Sequence, residues 1–176
     1  MINGRRLSRD EIRAIWTIDR GEVIDAVYYL ENGSLQLRRE HHDLSGWPPG
    51  KAEQYTPILE SCHDRGGWLY GLFDGDRLVG VAVLESQFIG KHEEQLQLTF
   101  LHVSRPYRSR GLGQRLFRLA KAEAVGRGAM SLYVSATPSK HTVDFYLRLG
   151  CTLAAEPDPA LYELEPEDIH FEYALE

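Results

Sequence analysis

Residues 95–113 read QLQLTFLHVSRPYRSRGLG, and this stretch decides how the rest of the chain is interpreted. Its first half, Gln95 to Val103, predicts a β-strand, because Leu96, Leu98 and Phe100 alternate with polar residues. Its second half is a turn that contains two glycines and runs directly into a helical pattern. A strand, a glycine turn and a helix N-terminus together are typical of an anion-binding site.

The turn has the pattern Arg108-x-x-Gly111-x-Gly113, and the helix is expected to extend from Gly111 to about Val125. Free backbone N–H groups and the positive end of the helix dipole would face the ligand there. Glycines allow backbone to approach phosphate oxygens that a Cβ atom would obstruct. The pattern is neither the dinucleotide-binding nor the P-loop motif. A glycine-rich helix start with solvent-facing arginines remains the alternative.

Strands and helices on both sides of this stretch predict a mixed α/β sheet. A hairpin precedes it, formed by residues 68–73 and 78–89, and strands 131–135, 151–155 and 169–175 follow it. Thr137-Pro138 is expected to cap and begin a helix that ends at Gly150. Early hairpins and late crossovers are typical of a sheet that combines antiparallel and parallel pairs.

The first 66 residues are expected to form a helix, a hairpin and a second helix. Ser8-x-x-Glu11 is a capping box, and Asn32-Gly33 predicts a tight hairpin turn. Residues 41–50 have the composition of a loop, and Lys51 to Cys62 that of a helix.

Composition and charge exclude several classes of protein. The chain has 176 residues, 43% hydrophobic and 26% charged, which suits one globular domain. No apolar run approaches the ~20 residues of a membrane span. The net charge of −6 argues against a nucleic-acid partner. Two cysteines without metal or redox spacing, and an N-terminus without a secretory signal, favour a reducing cytoplasm.

The charges are distributed in two blocks of opposite sign. Residues 104–127 carry seven arginines and lysines against one acid, and residues 151–176 carry eight acids and no lysine or arginine. Two ligands of opposite charge would explain these blocks, and two ordinary solvated faces are the alternative.

The chain resembles the GNAT superfamily of N-acetyltransferases. Val103 to Leu116 is similar to the family's acetyl-CoA-binding motif, and Ser135 to Gly150, with Phe145-Tyr146, is similar to the family's later strand and helix. The resemblance covers residues 67–175. It implies a single GNAT-like domain over residues 1–176, with a mostly antiparallel central sheet flanked by helices. Residues 1–66 would form its N-terminal region, and residues 67–176 its cofactor-binding and catalytic core.

The resemblance also implies roles for individual residues. Backbone groups of Leu101 and Val103 would pair with pantetheine, and Arg105 or Arg110 would reach the 3′-phosphate. Ser139 stands where many members place an asparagine on pantetheine, and Tyr146 would protonate the leaving thiolate. The pyrophosphate would be held by backbone N–H groups of Arg108, Ser109, Arg110, Gly111, Leu112 and Gly113.

The residues themselves leave the acid and the base open. Tyr146 suits proton donation to a thiolate, although a core aromatic is the alternative. Glu85 is the candidate base, because it ends a strand that precedes the central one. Glu94 and His102 are rivals, and a water chain would replace all three. Gln97 stands near the position where some relatives carry a glutamate.

Two further groups of residues are interpreted structurally. His41-His42-Asp43 has no second cluster at matching spacing, so a polar loop is expected and no metal site. Cys151 has no base nearby in sequence, so a buried structural thiol is expected in place of an acetyl-cysteine intermediate.

The sequence therefore predicts an acetyl-CoA-dependent N-acetyltransferase that transfers the acetyl group directly within a ternary complex. Its acceptor is expected to be the primary amine of a small cationic molecule or peptide, because residues 156–168 carry six acids and no base. A stiff solvated loop is the alternative for that segment. The alternative functions are a catalytically silent CoA-binding regulatory module and an interaction domain. A homodimer is left open, and neither nucleic acid nor membrane is expected as a partner.

Overall fold

A computed structural model describes all residues 1–176 and shows two sheets with helices between and around them. The strands are β1 (Ile2–Arg6), β2 (Glu22–Glu31), β3 (Ser34–Leu44), β4 (Trp68–Asp74), β5 (Arg77–Leu84), β6 (Gln95–Val103), β7 (Ser131–Ala136), β8 (Thr152–Leu153) and β9 (Ile169–Ala174). The α-helices are α1 (Lys51–Asp64), α2 (Leu112–Gly126), α3 (Lys140–Leu149) and α4 (Pro159–Leu164), and a 3₁₀ helix spans Arg9–Thr17.

The larger sheet has seven strands in the order β1-β4-β5-β6-β7-β9-β8, and β2 and β3 form a separate hairpin. All neighbours in the larger sheet are antiparallel except β6 and β7, which α2 connects by a crossover. The mixed α/β sheet expected from the sequence is confirmed.

The parallel pair of β6 and β7 is short. Only Gln95 to Gln97 of β6 pair with Ser131 to Tyr133 of β7. Beyond Gln97, β7 continues along β9, and the edge of β6 that faced β7 has no strand partner. The two strands therefore open a gap in the middle of the sheet.

A β-bulge at Thr99 changes which side of the sheet the residues of β6 face. The register with β5 passes from Leu84–Leu98 to Val83–Phe100, which leaves Thr99 unpaired. Leu98 packs in the core on the α2 side, whereas Phe100 packs in a second core on the opposite side. The expected alternation of buried and partly exposed residues holds as far as Phe100, but the additional residue moves Phe100 to the other side of the sheet.

The two cores fix both faces of the central strands. The larger one lies between the sheet and helices α2 and α3, and includes Leu96, Leu116 and Phe171. The smaller one lies under the 3₁₀ helix and α1, and includes Ile12 and Leu59. Each of these five side chains is fully buried, which is worth about 1.5–3 kcal/mol per side chain. The strand edges around the gap are therefore held by packing on both faces.

The structure corrects several expected boundaries. Ile2–Arg6 is a strand that pairs with β4, so it joins the sheet of the predicted core. Residues 41–44 belong to strand β3 and not to a loop, because the hairpin is longer than its turn signal shows. The strand expected to reach Ile89 ends at Leu84.

The later part of the chain contains two further differences. Ser139, and not Thr137, is the N-cap residue of α3. The segment of residues 156–168, expected as a loop, contains the short helix α4, whose N-terminal amides donate to the carboxylate of Asp158. None of the helices has the length and hydrophobicity that crossing a membrane requires.

Candidate active site

A groove of about 370 Å³ lies where β6 and β7 diverge. One wall is the end of β6, the second is the turn before α2, and the third is one face of α3. Its lining includes Leu101, Val103, Arg108, Ser109, Gly111, Leu112, Gly113, Thr142, Phe145, Tyr146 and Arg148. Most of the residues expected to bind the acetyl donor therefore lie along one groove.

The open edge of β6 presents backbone groups to this groove. The N–H of Ser104 donates to Val79 of β5 at 2.8 Å, so the backbone groups of Ser104 face β5. Because successive residues of a strand present their backbone groups to alternate edges, those of Leu101 and Val103 face the groove. A ligand with its own amide groups can pair with this edge as an added strand.

The turn before α2 is a cradle of unpaired backbone donors. None of the N–H groups of residues 109–114 donates a hydrogen bond to another protein group. Gly111, the N-cap of α2, has φ +75° and Ser109 has φ +62°, and these left-handed conformations turn the chain sharply into the helix. The cradle suits a phosphate group, since its donors lie at the positive end of the 15-residue helix α2.

Gly113 allows the two walls of the groove to approach closely. A Cβ atom at this position would lie 3.1 Å from Cε2 of Phe145 on α3, which is tighter than ordinary van der Waals contact. A larger residue would therefore push α2 and α3 apart at the groove.

The side chain of Arg108 holds the turn, and the 3′-phosphate contact expected of Arg105 or Arg110 stays a prediction. Arg108 donates through its guanidinium to the carbonyl oxygens of Val103 at 3.0 Å, Gly21 at 2.8 Å and Asp19 at 3.1 Å, so its side chain fixes the turn. Arg105 and Arg110 are exposed and lie outside the groove lining.

The packing of α3 decides which residues on and beside this helix reach the groove. Ser139 is only 1% exposed, its hydroxyl donates to Thr142, and it does not line the groove. The pantetheine contact expected of Ser139 therefore has no support in this geometry, and Thr142 reaches the groove instead. Arg148, which the sequence analysis did not identify, contributes the cationic side chain on the α3 wall. The side chains of Ser139 and Arg148 are oriented by the packing of α3 against the β2–β3 hairpin, which the sequence pattern does not show.

A second cavity, of about 160 Å³, lies on the other side of the β6 edge, beneath α1 and α4. We call it the acceptor cavity, defined by its lining of Trp47, Lys51, Tyr55, Glu85, Gln97, Thr99, His102, Ser135, Leu161, Glu165 and Asp168, among others. Six residues line both this cavity and the groove: Arg20, Leu101, His102, Thr137, Thr142 and Tyr146. The two spaces therefore meet at the gap between β6 and β7.

Tyr146 stands at this junction. Its side chain is 6% exposed, and its ring packs against Phe117, Phe145 and Phe171 at centroid distances of 5.1–6.4 Å. Burial raises the pKa of its phenol, and Cys151 and Asp168 add to the rise. Tyr146 is thus a core aromatic and also a protonated hydroxyl group at the point where the two spaces join.

Glu85 lines the acceptor cavity, but both of its carboxylate oxygens already have partners. Arg65 donates to one at 3.0 Å, and the backbone N–H of Ser86 donates to the other at 2.9 Å. Neither oxygen is therefore left without a protein donor. Its role as the base is not tested by these contacts and stays a prediction.

Asp168 is better placed than Glu85 to act as the base. In the sequence it is only one of six acids between residues 156 and 168. The hydroxyl of Ser135 donates to its Oδ2 at 2.8 Å, and its Oδ1 has no partner. Burial raises the pKa of the Asp168 carboxyl to about 6, and the charge of Glu165 adds to the rise. A carboxylate with this pKa is suited to accept a proton near neutral pH.

The other acids of residues 156–168 divide into two groups. Glu165 lines the acceptor cavity and accepts hydrogen bonds from Lys51 at 3.0 Å and Tyr55 at 2.9 Å. Asp158 caps α4, and Glu163 is exposed and outside the lining. The segment does reach the acceptor cavity, but with two of its six acids.

The two rival bases, His102 and Glu94, are less suited than Asp168 to accept the proton of the amine. His102 lines both spaces and packs edge-on against Trp47, and burial lowers its pKa to about 3. It is therefore neutral and only weakly basic. Glu94 is exposed and lies outside the acceptor cavity.

Cys151 and the segment His41-His42-Asp43 were expected to have structural roles only. Cys151 is 3% exposed, and burial raises the pKa of its thiol to about 12, so the nucleophilic thiolate is scarce. His41 and His42 each pair with a carboxylate, from Asp25 and Glu40. No group of three or more histidine, cysteine, aspartate or glutamate side chains is arranged to hold a metal ion.

An open strand edge, an anion cradle and a second cavity that meets the first at a tyrosine together suit a transferase that uses an acyl-CoA donor. Residues 28–151 match the family model of the GNAT acetyltransferases. The chain belongs to this family and is an acetyl-CoA-dependent acyltransferase with the GNAT fold. A search of curated proteins finds no match.

Solved structures show the same fold over the whole chain. Nourseothricin acetyltransferase superimposes with a TM-score of 0.73 at 18% identity, covering 99% of each chain. A candidate streptothricin acetyltransferase from Bacillus anthracis str. Ames, solved with acetyl coenzyme A, has a TM-score of 0.66 at 16% identity, covering 100% of this chain and 98% of its own. PaiA N-acetyltransferase from Thermoplasma acidophilum, solved with coenzyme A, has a TM-score of 0.65 at 15% identity, covering 99% of each.

Proposed function

We propose that this protein transfers an acetyl group from acetyl-CoA directly to the primary amine of a small acceptor, with both substrates bound at once. The observation that carries the proposal is the position of Tyr146, which lines both the groove and the acceptor cavity. Two substrates that enter from opposite sides of the β6 edge would meet at its hydroxyl, so no covalent enzyme intermediate is required. The buried, protonated thiol of Cys151 is in keeping with this direct route.

Asp168 is the base in this proposal. An amine with an ordinary pKa arrives as an ammonium ion, which cannot attack a carbonyl until it loses a proton. The unpartnered Oδ1 of Asp168 accepts that proton and passes it to solvent. The neutral nitrogen then forms a bond to the acetyl carbonyl carbon.

Tyr146 is the acid. When the carbon–sulfur bond breaks, the thiolate needs a proton, and the phenol of Tyr146 donates it. The tyrosine recovers a proton as the newly formed amide nitrogen loses its second one. Burial raises the pKa of a thiol as it raises that of the phenol, so the transfer between them is not strongly uphill.

The acceptor is cationic at its reacting nitrogen. Asp168 and Glu165 face the acceptor cavity, and negative charge there attracts an ammonium group and raises its local concentration. Lys51 offsets Glu165, and Arg65 offsets Glu85, so Asp168 is the one carboxylate of the cavity that no ion pair neutralises. This balance favours a small amine over a polycation that requires many carboxylates.

A thiol-release assay tests the function. Acetyl-CoA is incubated with a panel of amino acids, diamines, polyamines, amino-group peptides, nourseothricin and streptothricin, and free CoA and acetylated product are measured by mass. Release that requires an amine supports the proposal. Tight acetyl-CoA binding with no release on any amine supports the regulatory module, which the glutamine at position 97 keeps as the second candidate.

A further inference from the structure

Arg20 projects into the junction of the two cavities from a segment that is fixed on both sides. The N–H of Asp19 donates to Ser104 Oγ at 2.9 Å. Arg108 donates to the carbonyl oxygens of Asp19 at 3.1 Å and Gly21 at 2.8 Å. The backbone around Arg20 is therefore tied to the end of β6, and its side chain begins from a defined position.

The guanidinium of Arg20 has few partners in the protein. Its single hydrogen bond runs from Nη2 to Thr137 Oγ1 at 3.5 Å, and its Cζ lies 5.4 Å from the centre of the Trp47 ring. No carboxylate forms an ion pair with it, whereas Lys51 in the same cavity pairs with Glu165. A guanidinium carries five N–H donors, so most of those of Arg20 are available to a ligand.

A matching unpaired charge lies in the same cavity. Asp168 Oδ1 has no hydrogen-bond partner, and no lysine or arginine forms an ion pair with this carboxylate. Arg20 and Asp168 line one small cavity, and each lies near enough to affect the other's pKa. The acceptor cavity thus presents one free cation and one free anion, and a ligand with both charges complements both.

We propose that Arg20 binds a carboxylate of the acceptor, so that the preferred acceptors are small amino acids or other amines that carry a carboxylate. The guanidinium presents two parallel N–H donors that match the two oxygens of a carboxylate. The ammonium group of the same molecule faces Asp168, where it becomes the nucleophile. This inference rests on the proposed function, and it names the acceptor class for that same site.

The test compares acceptors that differ only in the carboxylate, in two forms of the enzyme. Glycine, 4-aminobutyrate and lysine are each compared with their own amides, and kcat/KM is measured for each member of a pair. The ratio of acid to amide is then compared between the wild type and Arg20→Gln, so that the intrinsic reactivity of each amine cancels. We expect the ratio to fall by about 10- to 100-fold for at least one pair, the usual effect of a charged hydrogen bond.

Two variants serve as controls. Arg13→Gln removes an exposed arginine of the neighbouring 3₁₀ helix and is expected to leave the ratio unchanged. Arg20→Lys keeps the charge but loses the paired donors, and is expected to give an intermediate ratio. The dissociation constant for acetyl-CoA is measured in the wild type and in Arg20→Gln, because Arg20 also lines the groove.

Different failures identify different errors. If amines are acetylated and the ratio is the same in Arg20→Gln, the carboxylate role of Arg20 is wrong while the proposed function stands. If Arg20→Gln weakens acetyl-CoA binding and leaves the ratio unchanged, Arg20 belongs to the donor groove and this inference is overturned. If no amine in either form yields free thiol, the proposed function fails and the inference fails with it.

Discussion

The hydroxyl of Ser135 donates a 2.8 Å hydrogen bond to Asp168, and both side chains line the acceptor cavity beside β6. Ser135 is the penultimate residue of β7, and Asp168 immediately precedes β9, which pairs with β7. This pairing fixes the orientation of the Asp168 carboxylate and leaves its second oxygen free.

Asp168→Asn is predicted to lower kcat/KM for amine acceptors by about 10²- to 10⁴-fold, because it removes the group that accepts the proton. In the wild type, kcat/KM is expected to rise as the pH passes through about 6, where Asp168 loses its proton. That rise is expected to be absent from the pH profile of the variant. Glu163→Gln, an exposed change on α4, is the matched control.

Glu85→Gln distinguishes the two candidate bases. Because Glu85 is already paired with Arg65 and Ser86, we expect a loss of less than tenfold and an unchanged rise near pH 6. If Glu85→Gln abolishes the rise and Asp168→Asn keeps it, the two assignments must be exchanged.

Asp168 is also predicted to destabilise the protein above its pKa. Its pKa is about 6 in the folded protein and about 4 in an unfolded chain, so the folded state holds the proton more tightly. The contribution of Asp168 to stability is therefore largest below pH 4 and falls as the pH rises to 6, by at most about 3 kcal/mol. Thermal unfolding of Asp168→Asn should show a higher Tm than the wild type at pH 8, and little difference at pH 4. A variant that is less stable at pH 8 would contradict the raised pKa.

Tyr146→Phe keeps the packing of the ring and removes only the hydroxyl. We predict that kcat falls by about 10²- to 10⁴-fold while the acetyl-CoA dissociation constant changes little. Tyr173→Phe is the matched control, since both rings pack against Phe117 but Tyr173 lies outside both cavities. An unchanged kcat in Tyr146→Phe, under conditions where chemistry limits the rate, would leave Tyr146 as a core aromatic alone.

The donor groove is tested by binding. Acetyl-CoA at a hundredfold excess over its dissociation constant is predicted to stabilise the wild type by about 2.7 kcal/mol, which corresponds to a rise in Tm of about 5–11 °C. Gly113→Val should abolish this rise, because its side chain would collide with Phe145, which lines the groove on α3. Gly126→Val, at the other end of α2 with no atom within 4 Å, should keep it. Loss of the rise in both variants would show a general effect on the helix.

The sequence predicted the parts of the site that depend on local pattern. The glycine turn before α2 and the placement of Tyr146 on α3 follow from short-range spacing. The bulge at Thr99 has no signal in the sequence, because only the pairing of β6 with β5 shows that Thr99 is an additional residue. The sequence therefore predicted that Leu98 and Phe100 are buried, but not that they pack on opposite sides of the sheet.

The acceptor side depends on contacts between distant parts of the chain. Asp168 and Glu163 look alike in the sequence, and only burial beneath α1 and α4 separates their environments. Arg20 gave no signal of its own, since its position depends on the hydrogen bonds that Arg108 makes 88 positions along the chain to the residues on either side of it. Ser139 was assigned by analogy of position, and the packing of α3 against the hairpin turns it away from the groove.

The most direct test of the account is an initial-rate matrix in which acetyl-CoA and the best amine are varied together. Because the groove and the acceptor cavity meet at Tyr146, both substrates must be bound before the acetyl group moves. Double-reciprocal plots are therefore predicted to intersect, with no burst of free CoA when the amine is omitted. Parallel lines, together with amine-independent CoA release and an acetylated enzyme detected by mass, would contradict direct transfer between two substrates at one junction.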